Sequence, residues 1–185
     1  QAPIRHFVDM KDIPAEQLRR IIDVSRNVKQ DFKAGKNLHD ALPGKVLSMI
    51  FEKSSTRTRV SFEVAMRDLG GHAIVMSERD MQLGRGETIA DTARVLSRYV
   101  DCIMLRANKH EDILALAKNG HVPVINGLTD HSHPCQVLAD ILTFEEHRGE
   151  ITGQTIAWVG DGNNVANTYI VAAVKFNFKL RLACP

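Results

Sequence analysis

At 185 residues, with 44% hydrophobic and 25% charged residues, the chain is long enough for one complete domain and part of another, and its composition excludes a disordered polypeptide. A formal charge of only +2, with basic residues interspersed among acidic ones, leaves no footprint for nucleic acid. No apolar run approaches membrane-spanning length, the amino end lacks a charged start followed by an apolar stretch, and Cys102, Cys135 and Cys184 form no CxxC pair, so the expected setting is a reducing cytoplasm with no membrane partner.

Residues 14–34 carry Leu18, Ile21, Ile22, Val28 and Phe32 at helical spacing, which predicts an amphipathic opening helix, with Asp12 placed to cap it and Pro14 suited to its first turn. The apolar run Val46-Leu47-Ser48-Met49-Ile50 predicts a buried strand over 46–51. A helix over 57–69 follows, with Phe62, Ala65, Met66 and Leu69 on one face, and Gly70-Gly71 stops it. Next come a strand over 72–76, a polar glycine-containing segment over 77–87, a helix over 88–99, a strand over 102–105, a helix over 109–119 and a strand over 122–125. Pro134 opens a long helix to about residue 147, with Val137, Leu138, Ile141 and Leu142 facing inward.

Four strands alternating with helices predict an α/β fold, a doubly wound parallel four-stranded sheet with flanking helices, complete over residues 1–147. Residues 148–154 read as a hinge. A strand over 155–159, a helix from about 164 and a strand over 179–183 begin a second α/β domain over 148–185. Two strands and one helix are too few for a stable doubly wound domain, so this second unit reads as truncated.

The polar residues fall at one edge of the first sheet. Residues 55–59, Ser-Thr-Arg-Thr-Arg, follow the first strand, where helix amides are unpaired and the dipole is positive; three hydroxyls and two guanidinium groups there suggest a phosphate cradle. A bare helix start, with one hydroxyl cap and solvated arginines, is the competing reading. The 77–87 segment follows the second strand, Arg106 the third, and His131-Ser132-His133-Pro134-Cys135-Gln136 the fourth, so distant side chains converge on one crevice, the usual ligand position in such sheets. Taken singly, Arg106 also reads as a surface arginine, and His133 as a helix cap beside a solvated Gln136. A metal site at His131, His133 and Cys135 is disfavoured, because alternate residues leading into a helix need not converge. The turn Gly160-Asp161-Gly162-Asn163-Asn164 lacks the third glycine of a dinucleotide fingerprint, since position 165 is Val, and no Walker segment is present.

Ser55-Thr56-Arg57-Thr58-Arg59 resembles the signature of the carbamoyltransferases, and His133-Pro134-Cys135-Gln136 resembles their second motif; Gly86-Glu87-Thr88-Ile89-Ala90-Asp91-Thr92 is similar to the helix after the family's mobile loop. The resemblance implies that Ser55, Thr56, Arg57, Thr58 and Gln82 hold the phosphate of carbamoyl phosphate, that Arg106 and His133 address its carbonyl oxygen, and that Gln136 lies near the carbamoyl amide. Arg57, Arg106 and His133 are the implied catalytic residues. Gln82 in the loop, and Phe51-Glu52-Lys53 before the signature, resemble the ornithine-using branch, in which Asn164 matches an asparagine at the amino-acid end of ornithine; taken alone, Asn164 is a turn residue or helix cap. The implied reaction is carbamoyl transfer to the δ-amine of ornithine, giving citrulline and phosphate, with neither metal nor organic cofactor, in a homo-oligomer, a trimer with shared sites. Another amine acceptor (aspartate, N-acetylornithine or putrescine) and a catalytically inactive phosphate-binding module are the alternatives.

Overall fold

The computed structural model describes residues 5–77 and 86–185. After a 3-10 turn at Met10–Asp12, the chain forms α1 (Ala15–Lys33), β1 (Val46–Phe51), α2 (Thr56–Asp68), β2 (His72–Ser77), α3 (Ile89–Leu96), β3 (Cys102–Arg106), α4 (His110–Asn119), β4 (Val124–Leu128), α5 (Pro134–Arg148), β5 (Thr155–Val159), α6 (Asn164–Phe176) and β6 (Lys179–Ala183). The first four strands make a parallel sheet in the order β2-β1-β3-β4, and β5 pairs with β6 in a separate parallel pair. The doubly wound α/β expectation therefore holds. Among the described residues, no helix is long and apolar enough to cross a membrane.

The alternation of side chains along β1 explains why helices cover both faces. Leu47, Met49 and Phe51 meet Phe62 and Met66 of α2, whereas Ile50 joins Ile103, Leu105, Ile113 and Leu116 on the side of α3 and α4. A third cluster unites Leu18 and Ile22 of α1 with Val137, Leu138 and Ile141 of α5 and with Ala172 and Phe176 of α6. Thus α5 carries apolar contacts from the first sheet's layer to the helix of the second.

Several local expectations change. Asp12 does not cap α1; Pro14 occupies that position without a side-chain bond, and Asp9 caps the preceding turn by accepting from the Lys11 amide. Ile21 and Phe32 are exposed, 37% and 56%: Phe32 lies along an open groove of about 910 Å³ between α1 and α2 that Val24, Val28, Val60 and Val64 also line, and Ile21 lies along a separate groove with His6, Phe7 and Ile13. Ala65 is exposed as well, and no residue of α2 is fully buried. Strand β4 begins at Val124, two residues later than its apolar run, because Pro123 has no amide to donate. The predicted helix over 88–99 closes at Leu96. Gly70 ends α2 at φ 87°, where an added Cβ would collide with the His39 carbonyl.

A single carboxylate fastens the link between the two sheets. Glu145 of α5, with a side chain 4% exposed, accepts from Arg19 at 2.8 Å and Arg26 at 2.7 Å on α1, and from the Ile151 amide at 3.3 Å. Arg19 also lies over the ring of Phe176, 5.0 Å from its centroid. Glu145→Ala is expected to lower stability by about 1.5–3 kcal/mol, the range for hydrogen bonds to charged groups, read as the midpoint of urea denaturation. An unchanged midpoint would mean that both arginines return to water without loss.

Candidate active site

The sheet order reverses at β1. From β1 the chain crosses to β2 on one side, then returns to place β3 on the other, so the crevice at the carboxyl ends of β1 and β3 is a topological switch point. Phe51, the last residue of β1, stands beside Arg106, the last of β3. The register of β3 against β4 shifts between Leu105 and Arg106, leaving Gly127 as the extra residue; a Cβ there would press on the Met104 sulfur. These ends deliver the α2 start, Arg106 and the α5 start to one place.

A cavity of about 520 Å³ is lined there by Ser55, Arg57, Thr58, Arg106, His133 and Gln136, among others. Ser55 caps α2, its Oγ accepting from the Thr58 amide at 3.3 Å, and no acidic residue in the first turn offsets the positive helix end. Capping is thus one job of this segment, but it uses only one hydroxyl. Arg106 extends Nη1 to Thr58 Oγ1 at 3.3 Å, while its buried Nε has no partner among the described residues. Burial, then the neighbouring charge of Arg57, draws Arg106 below the usual guanidinium pKa.

His133 occupies the N-cap position of α5 but makes no side-chain cap bond, and its buried Nδ1 has no partner among the described residues. Burial and the Arg106 charge pull its pKa down to about 4, against a smaller opposing effect of Asp140, so the imidazole is neutral near pH 7. Its backbone amide donates to Thr168 Oγ1 of α6 at 2.9 Å. The loop before it is tied by Asn126, whose Nδ2 donates to Ser132 Oγ at 3.0 Å and to the Val8 carbonyl at 2.9 Å.

Residues 5–146 match the family model described as the aspartate/ornithine carbamoyltransferase, carbamoyl-P binding domain. The chain belongs to that family. An ornithine carbamoyltransferase of Brucella ovis is 56% identical over 182 residues, which are 98% of this chain and 58% of that protein. One from Rhodopseudomonas palustris is 58% identical over 181 residues, with the same coverage. The solved ornithine carbamoyltransferase of Pyrococcus furiosus superposes with a TM-score of 0.95 at 52% identity, covering 98% of this chain and 57% of that one. The chain therefore spans about 58% of the length of these curated relatives.

Against the carbamoyltransferase signature, the remaining candidates divide. Thr56 lines two neighbouring grooves instead of the cavity, and Arg59 turns away to pair with Glu63 at 3.4 Å. Gln82 lies outside the described residues. Asn164 stands at the start of α6, where Asn163 is the cap, and its Nδ2 donates to the Thr129 carbonyl at 2.6 Å; Val165 is the α6 residue that lines the cavity. Among the described residues no group of three His, Cys, Asp or Glu side chains is arranged to hold a metal ion. The Cys135 thiol is held to the Asn126 carbonyl at 3.4 Å and its pKa is pushed up to about 12 by burial, which makes it a poor nucleophile.

Sequence reading missed Thr168, Asp140 and Tyr169, which surround the second motif from α5 and α6. Only Asp140 left a trace, as a carboxylate one helical turn after Gln136.

Proposed function

We propose that residues 1–147 form the carbamoyl phosphate-binding domain of an ornithine carbamoyltransferase and that 148–185 begin its ornithine-binding domain. The reaction is transfer of the carbamoyl group to the δ-amine of ornithine, giving citrulline and phosphate. One observation carries this reading: Arg57, Thr58, Arg106, His133 and Gln136 meet in one cavity at the switch point.

The chemistry needs donors at two ends. Ser55, Arg57, Thr58 and the first-turn amides of α2 suit the dianionic phosphate. Arg106 and His133, each with a buried nitrogen that has no partner among the described residues, suit the carbonyl oxygen, whose charge grows as the neutral amine adds to carbon. Collapse of the tetrahedral oxyanion breaks the bond to the phosphate oxygen, and the proton that the amine loses ends, in the overall balance, on the phosphate product. A neutral imidazole serves there as a hydrogen-bond donor, and holding amine and carbonyl together lowers the barrier further.

Ornithine as the acceptor rests on the named function of the relatives and on Phe51-Glu52-Lys53 before the signature. Gln82 joins the phosphate site from a neighbouring subunit of a homotrimer, and Asn164 serves the ornithine end. The three free cysteines suit a cytoplasmic setting.

The test is product formation by the full-length protein with ornithine, aspartate, N-acetylornithine and putrescine offered in parallel. Citrulline from ornithine alone is expected. Product from a different amine would move the assignment to that amine, and phosphate binding without any product would leave a binding module.

A further inference from the structure

The geometry points to Asp140 as a positioning residue that fixes which end of the Gln136 amide is offered to the substrate, and so sets selectivity for a carbamoyl over an acyl group; this rests on the carbamoyl phosphate reading above. Gln136 lies in the first turn of α5 at the cavity wall, and Asp140 stands one turn further along the same face. Gln136 Nε2 donates to Asp140 Oδ1 at 2.9 Å. The other carboxylate oxygen, Oδ2, accepts from the Tyr169 hydroxyl of α6 at 3.0 Å.

A carboxylate offers only acceptors, so Gln136 must present its NH₂ to Asp140. The amide oxygen Oε1 is then the free end of the group, with no donor on it among the described residues. That polarity matches one class of ligand. Carbamoyl phosphate carries an NH₂ on its carbonyl carbon, which needs an acceptor, whereas acetyl phosphate has a methyl there and gains nothing from one. Tyr169 keeps the arrangement in register: burial, then the adjacent Asp140, raises its pKa, so the phenol remains a donor and holds Asp140 from the side opposite Gln136. The orientation of a cavity residue on α5 thereby depends on a contact with α6.

The experiment measures binding of carbamoyl phosphate, acetyl phosphate and inorganic phosphate to the full-length protein and to Asp140→Ala, Asp140→Asn and Tyr169→Phe. Asp140→Ala is expected to weaken carbamoyl phosphate about fivefold, the worth of one hydrogen bond, while acetyl phosphate and phosphate bind as before. Asp140→Asn, which retains one acceptor, and Tyr169→Phe, which removes one anchor, are expected to shift the same ratio less; they carry the test if Asp140→Ala does not fold. A carbamoyl-to-acetyl ratio equal to that of the unaltered protein overturns the inference. Equal loss for all three ligands also overturns it, because a merely structural tie between α5 and α6 would act on the whole site. Failure of the unaltered protein to bind carbamoyl phosphate would instead remove the underlying reading, and the inference with it.

Discussion

Arg106→Lys in the full-length protein is expected to lower kcat by about 10²- to 10³-fold although the charge is kept, the range for losing one preorganised donor at a developing oxyanion. Arg106 works as a fork. One arm, Nη1, reaches Thr58 Oγ1 at 3.3 Å, and the Nε–H on the same rigid plane is buried with no partner among the described residues. Because the guanidinium is planar, the arm fixed on Thr58 dictates the direction of the others. Lysine brings one rotatable ammonium on a flexible stem, strongly hydrated and unable to hold Thr58 while addressing a carbonyl oxygen. The position at the end of β3, beside Phe51 of β1, leaves little room to compensate by moving backbone. Steady-state turnover alongside calorimetric binding separates the effects: kcat should fall much more than affinity for carbamoyl phosphate, since the lost contact strengthens only as charge develops. Near-normal turnover would remove Arg106 from the carbonyl site.

How much of this site was legible in sequence depended on which force placed each residue. Arg106 and Ser55 were readable because continuous apolar runs define β1 and β3, and the residue after such a run in a parallel sheet must lie at the carboxyl edge. The register of those strands then brings Arg106 near Thr58 without further information. Strand β4 was misplaced at its start because apolar character extends back to Val122, while the ladder depends on amide groups that Pro123 lacks. Burial along α1 and α2 was overread for a related reason. Helical periodicity reports an apolar face, not whether anything covers it, and Phe32 and Val60 face an open groove while Ile21 faces another. The contacts of α6 on the second motif, Thr168 to the His133 amide and Tyr169 to Asp140, join residues 35 and 29 positions apart. No local pattern encodes such pairs; they follow from the packing of α5 against α6.

His133→Ala is expected to lower kcat by about 10²- to 10³-fold while leaving the shape of the pH profile between 5 and 7 unchanged. Both effects come from the same burial. With its pKa near 4, the folded imidazole stays neutral over this range, so a donor that does not titrate there cannot produce an acid limb. A general base with an ordinary histidine pKa of about 6.5 would produce one, and the alanine variant would abolish it. Stability should show the complementary effect. The folded-state pKa lies below the unfolded value, so between pH 6.5 and about 4 the unfolded chain takes up a proton that the folded one refuses, and stability falls as pH falls through that window. Below it both states are protonated and the slope ends. His6 and His110 are also lowered by burial, so the quantity to compare is the difference in urea midpoints between the parent and His133→Ala at each pH. That difference should shift steadily in favour of the variant from pH 6.5 to 4, because the variant has no neutral imidazole to protect. A limb near pH 6.5 in the parent that vanishes in the variant, with no pH dependence in the stability difference, would make His133 a solvated base and move the oxyanion contact to Arg106 alone.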